Sequence, residues 1–222
     1  MFGLGPTPFD IHLVAFRIPI RVHPTFWLGM LLFGWNPDHP EIMFIWVVCG
    51  FFSILIHELG HALTAETFGW PTQILLYFGG GLAMSARYHN NSLGRSIAVS
   101  IMGPGAGFLF LVVIMIVEQV LDINQLLIND YRFYAFAFLK FMNLWWGLLN
   151  LLPILPLDGG QICASVCQVL RLRDGIGTAT KISVAISGAA AYYFYYHLHQ
   201  ELGAMLMLML CLQNIGSLQS RK

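Results

Sequence analysis

The sequence predicts an α-helical polytopic membrane protein with about six transmembrane helices and a small membrane-associated β-sheet or hairpin. Three observations carry that expectation. First, 57% of the 222 residues are apolar and only 10% are charged, where a soluble domain carries about a quarter. The mean hydropathy is +0.69, so such a chain cannot cover its surface with polar groups and lipid is its natural solvent. Second, apolar runs recur at roughly the 20-residue length that crosses about 30 Å of hydrocarbon. Third, lysine and arginine cluster in every second connection between those runs, as the positive-inside rule requires of a polytopic chain.

Taken in order, residues 1–11 hold Pro and Gly without a basic stretch or a small-residue cleavage site, so no signal peptide is expected and the chain reads as mature. Residues 11–22 alternate loosely and are interrupted by Pro19, which suggests a strand pair. The spans are expected at 24–35, 42–65, 95–121, 132–152, 178–197 and 202–218, the first of them short for an upright crossing. Between the second and third, residues 73–78 and 82–85 flank Gly79, Gly80 and Gly81 and read as two short strands around a flexible turn. Open sheet edges are not tolerated against lipid, so these strands belong at the interface or under protein. No repeat or linker interrupts the chain, and one domain is expected over 1–222.

The basic residues orient the spans. Arg17, Arg21, Arg87, Arg95, Arg171, Arg173, Lys181, Arg221 and Lys222 all fall on one side of the layout, nine of the eleven in the chain. Both termini are therefore expected in the cytoplasm, with the cell (inner) membrane of a prokaryote as the expected location. A net charge of zero gives no electrostatic footing for nucleic acid. The four cysteines show no disulfide spacing. Cys163 and Cys167 could share a helix face, but no second Cys/His pair completes a familiar zinc pattern.

His57-Glu58-Leu59-Gly60-His61 is an HExxH motif inside the second span. On a helix, positions i and i+4 share a face, so both imidazoles can reach one zinc ion at about 2.0–2.1 Å. Glu58 then stands where a carboxylate can take a proton from a zinc-bound water. By composition alone the match has chance odds of about one in 150, but two His and a Glu within an apolar span are costly unless liganded or paired. A catalytic zinc takes three protein ligands. The remaining histidines (His12, His23, His39, His89, His197 and His199) fall near expected surfaces or loops. Asp158 differs: it follows Asn150-Leu-Leu-Pro153-Ile-Leu-Pro156-Leu157 and precedes Gly159-Gly160. The two prolines break the fourth span, and irregular backbone at membrane depth persists only when buried in protein or lining a wet cavity. His57 lies fifteen residues beyond Ile42, about 22 Å along the second span, which puts both half-sites toward the cytoplasmic side.

These motifs resemble the site-2 proteases, intramembrane zinc proteases that cleave transmembrane segments of other proteins. The resemblance rests on HExxH in the second core helix, Gly103-Pro104-Gly105 in the next, and the run from Asn150 through Asp158-Gly159-Gly160; residues 18–26 are similar to the strand that leads into the family's first helix. It implies His57, His61 and Asp158 as ligands of one Zn²⁺ per chain, Glu58 as catalytic base and Asn150 as a holder of substrate or oxyanion. The implied partners are a lipid bilayer and a single-pass substrate protein. Many relatives carry a PDZ domain or CBS repeats, and this chain shows neither pattern, so a minimal catalytic core is expected. A metal transporter or metal sensor using the same ligands is the alternative; it needs a ligand path to the far side, which the outer halves of the spans do not offer. A catalytically dead scaffold is disfavoured by the intact Glu58 and ligand set.

Overall fold

The computed structural model describes residues 5–85, 92–121, 131–170 and 174–220. The basic residues Arg87, Arg171, Arg173, Arg221 and Lys222, and His89, lie outside them. The chain divides into two compact units: Met1–His89 with Met102–Gly147, and Asn90–Ile101 with Leu148–Lys222.

The first unit opens with the expected strand pair, β1 (Ile11–Ala15) and β2 (Ile18–Val22), antiparallel with Ile11 opposite Val22. The two turn residues, Phe16 and Arg17, both have positive φ, the geometry of a type I′ hairpin turn that usually selects Asn or Gly. In β2 the alternation decides burial. Ile18, Ile20 and Val22 face the core, whereas Pro19 is exposed and Arg21 half-buried, as the period of two in a strand demands. The chain then enters α1 (Pro24–Phe33), with Pro24 in its first turn and the His23 ring accepting from the Thr25 amide. Proline suits that position because its missing N–H would have no helical partner.

Helix α2 (Pro40–Thr67) is followed by β3 (Thr72–Tyr77) and β4 (Gly80–Ser85). The hairpin joins β3 and β4 antiparallel, and β3 pairs parallel with β2, giving one four-stranded sheet in the order β1-β2-β3-β4. That parallel pairing was not expected: Ile20 sits opposite Ile74, 54 positions along the chain, and no local pattern reports a contact at that range. The Thr25 hydroxyl accepts from the Phe78 amide at 3.2 Å, tying the β3–β4 turn to the start of α1. Ile18, Ile20, Val22, Phe26, Ile54 and Leu76 belong to one buried cluster, so the sheet packs its apolar face onto α1 and α2.

The remaining helices are α3 (Leu93–Val120), α4 (Tyr131–Asn150), α5 (Asp158–Val169), α6 (Gly175–Tyr196) and α7 (Glu201–Gln219). Among the described residues three helices, α2, α3 and α7, are long and apolar enough to cross a membrane. α1 has the right composition but only 10 residues, about 15 Å of rise. α4 and α6 form where spans were expected but are more polar. α4 carries Arg132, Lys140, Asn143 and Asn150, and α6 is rich in Gly, Ala, Ser and Thr with Lys181 inside it. α5 was not expected at all; in the second unit it begins at Asp158 and packs against α6, which in turn packs against α7. Asp174 caps α6 by accepting from the Gly177 amide at 2.9 Å.

Among the described residues of the first unit, an ion pair joins α3 to α4. Lys140 Nζ donates to both carboxylate oxygens of Glu118, at 2.6 and 2.8 Å, with Glu118 12% and Lys140 35% exposed. Removing one partner leaves the other charge poorly solvated, which costs 3–5 kcal/mol for a fully buried pair; partial exposure reduces this to about 1–2 kcal/mol here. Lys140→Met and Glu118→Leu should each lower the melting temperature in detergent, and the double substitution should recover most of the loss. Equal losses adding without recovery would show that the two side chains act independently.

Candidate metal centre

His57, Glu58 and His61 lie in the C-terminal half of α2 and are all buried. His57 is about 25 Å from the start of a helix about 42 Å long. The two histidine Nε2 atoms are 3.2 Å apart. Two nitrogens bound tetrahedrally to one zinc at about 2.0–2.1 Å stand about 3.3 Å apart, so this spacing suits a shared ion. His57, His61 and Asp158 are all buried and their donor atoms lie within 4.8 Å of one another, a group that could hold a metal ion. Two imidazoles and a carboxylate are a donor set that fits zinc, and its count of three matches a catalytic rather than a structural site. Asp158 is the first residue of α5.

Three glycines let backbone come down onto the HExxH helix. A Cβ at Gly103 of α3 would stand 2.1 Å from His61 Nε2, and one at Gly60 would stand 2.1 Å from the Met102 carbonyl. α3 thus meets α2 at a point where neither Gly60 nor Gly103 has room for a Cβ, and the Gly103-Pro104-Gly105 element serves that approach. Gly81 of β4 does the same above the acid: its Cβ would meet Glu58 Cγ at 2.3 Å. The strand β4 therefore roofs Glu58. In the second unit, a Cβ at Gly159 or Gly160 would collide with the backbone of Leu151 or Ile154, so the Pro153–Pro156 segment folds tightly against the start of α5.

Sequence reasoning missed the support around His57. Ser53 lies one helical turn before it on α2, and Asn143 of α4 donates to the Ser53 hydroxyl at 2.9 Å and to the Leu139 carbonyl at 2.8 Å. Ser53, His57, Gly107, Asn143 and Trp146 line a small cavity beside the imidazole. A signal existed: Asn143 is a buried amide within an apolar run, and such residues default to a partner or a role. Asn150, the last residue of α4, is half-buried at the head of the segment leading to Asp158. Cys163 is half-buried and Cys167 buried, both as free thiols, on α5.

The Gly103 contact makes a direct test. Gly103→Ala pushes a methyl group onto the His61 ring, so the purified variant should hold well under half the zinc of the unaltered protein by elemental analysis. Gly105→Ala, whose Cβ would have only ordinary contacts, should keep it. Full zinc in Gly103→Ala would mean that His61 tolerates displacement.

Residues 127–194 match Peptidase family M50. The chain is 33% identical over 169 residues to Zinc metalloprotease MJ0392 of Methanocaldococcus jannaschii, covering 75% of this chain and 47% of that protein. It is also 33% identical over 147 residues to Stage IV sporulation protein FB of Bacillus subtilis, covering 65% of this chain and 46% of that protein. It thus spans about half the length of the curated relatives it matches. The solved Site-2 Protease from Methanocaldococcus jannaschii superposes with a TM-score of 0.59 at 26% identity, covering 95% of each chain. With HExxH on α2 and Asp158 heading α5, the chain is thus similar to a solved site-2 protease, to curated zinc metalloproteases and, over residues 127–194, to peptidase family M50.

Proposed function

We propose that this chain is an intramembrane zinc endopeptidase that hydrolyses peptide bonds within or near the transmembrane segments of single-pass membrane proteins, with residues 1–222 as one catalytic core. The observation that carries the reading is a zinc-competent donor group, with Glu58 beside it, on a helix apolar enough to span a membrane. In this reading His57, His61 and Asp158 hold the metal. Zinc, when bound, polarises a carbonyl and lowers the pKa of a coordinated water toward about 7. Glu58 takes a proton during attack on the scissile carbonyl and returns it to the leaving amine nitrogen. Asn150 donates its amide hydrogen to the developing oxyanion, a kind of donor worth about 2.7–4 kcal/mol in a transition state.

The layout of basic residues supports six crossings with both termini in the cytoplasm, α4–α5 and α6 completing the set with α1, α2, α3 and α7. A substrate helix hides each of its peptide bonds in internal hydrogen bonds and must unwind before attack. β4 is the edge of the sheet and roofs Glu58, so an unwound segment that pairs with this edge is presented beside the acid; strand addition is a general mode of peptide recognition.

Three experiments test the reading. In purified protein, Asp158→Ala should lower zinc content, whereas Glu58→Gln should keep zinc and slow cleavage of a single-pass substrate by about 10²–10⁴-fold. A Glu58→Gln variant that still cuts at the original rate would remove Glu58 from proton transfer. Separately, a substrate series in which Leu replaces Gly, Pro or Asn near the cut should be cleaved progressively more slowly, because Gly and Pro disfavour helix by about 1 and 3 kcal/mol relative to Ala. Mass spectrometry of the new termini should place the cuts in the cytoplasmic half of the span; cuts clustered in the outer half contradict the topology.

A further inference from the structure

The segment between α4 and α5 has few means of holding its own shape, yet it ends on Asp158. Its local backbone bonds are short-range: Leu151 donates to Leu148, Leu152 to Leu149, Ile154 to Leu152 and Leu157 to Ile154. Within the last of these turns stands Leu155, whose two backbone groups are both taken by side chains from other helices. The Leu155 amide donates to Ser183 Oγ of α6 at 2.9 Å. The Leu155 carbonyl accepts from Asn214 Nδ2 of α7 at 2.7 Å. Both side chains are almost wholly buried, Ser183 at 0% and Asn214 at 3% exposure. Each is locked in turn to its own helix: Ser183 donates to the Ala179 carbonyl at 2.9 Å and Asn214 to the Leu210 carbonyl at 2.8 Å.

Polar side chains buried in apolar helices need partners, and helix–helix adhesion is their common use. Here neither side chain reaches the other's helix. Both bond the same backbone residue, three positions before Asp158, and Ser183 Oγ also stands 3.4 Å from the Pro153 carbonyl, in a segment already pressed against α5 at Gly159 and Gly160. We propose that Ser183 and Asn214 are positioning residues for the zinc ligand Asp158: a two-sided clamp on Leu155 that fixes where α5 begins and so where its first carboxylate stands. The clamp also makes the metal centre sensitive to the placement of α7, since a displacement of Asn214 releases the Leu155 carbonyl. This inference rests on the reading of Asp158 as a ligand.

The test is zinc affinity of the full chain in detergent, measured by competition with a chromogenic chelator, with thermal melting of the zinc-free protein alongside. Ser183→Ala and Asn214→Leu should each weaken zinc by about 10–100-fold, the usual effect of removing a group that orients a metal ligand. Ser183→Thr, which keeps the hydroxyl, should bind as the unaltered protein does. In an Asp158→Ala background, already weakened, Ser183→Ala should cause no further loss, because the clamp acts through that carboxylate. Unchanged affinity in Ser183→Ala, or a loss that persists undiminished without Asp158, overturns the clamp, the latter showing that Ser183 supports the fold at large. If Asp158→Ala itself binds zinc normally, the ligand assignment fails and the clamp with it. A drop in Asp158→Ala without one in Ser183→Ala isolates the failure to the clamp.

Discussion

Two imidazole nitrogens held 3.2 Å apart on one turn of an apolar helix are the feature on which the rest of the structure depends. Uncommitted, such a pair is costly inside hydrocarbon; held in register, it is most of a metal site. The surrounding elements serve either to keep that register or to bring further groups to it. α3 crosses α2 with glycine at the point of contact, β4 lies over Glu58 with glycine again, and Asn143 grips Ser53 one turn away. Close backbone approach is a device of membrane helices, which have no hydrophobic drive to associate and gain from packing small residues.

The second unit solves a different problem with the same means. Asp158 needs a fixed position at the end of an irregular segment, and irregular backbone in an apolar setting must have its N–H and C=O groups answered. Glycines 159 and 160 allow the fold-back, and side chains of α6 and α7 satisfy the exposed peptide groups of Leu155. Hydroxyl and amide residues that look like faults in apolar helices are the parts that hold the backbone break.

Much of this was legible in the sequence, and the reason is locality. HExxH places two histidines on one helix face by periodicity alone, the hairpin around Gly79 announces itself by composition although β4 already begins at Gly80, and the proline-broken run before Asp158 marks irregular backbone. What was not legible depends on distance in sequence. The parallel pairing of Ile20 with Ile74 has no local trace, nor does the partnership of Ser53 with Asn143, 90 residues away. The hairpin turn at Phe16 and Arg17 lacked the Asn or Gly that normally signals it. α5 was hidden because Gly159 and Gly160, poor helix formers, open it. Hydropathy supports α2, α3 and α7, while α4 and α6 carry the polar residues that hold other segments and so dilute the signal.

In the proposed reading a single zinc sits among His57, His61 and Asp158. X-ray absorption at the zinc edge of the purified, zinc-loaded protein addresses it most directly. The expected result is a first shell of nitrogen and oxygen only, at about 2.0–2.1 Å, with the outer-shell scattering of two imidazoles. A sulfur contribution near 2.3 Å would instead place the metal on Cys163 and Cys167, and would contradict the assignment.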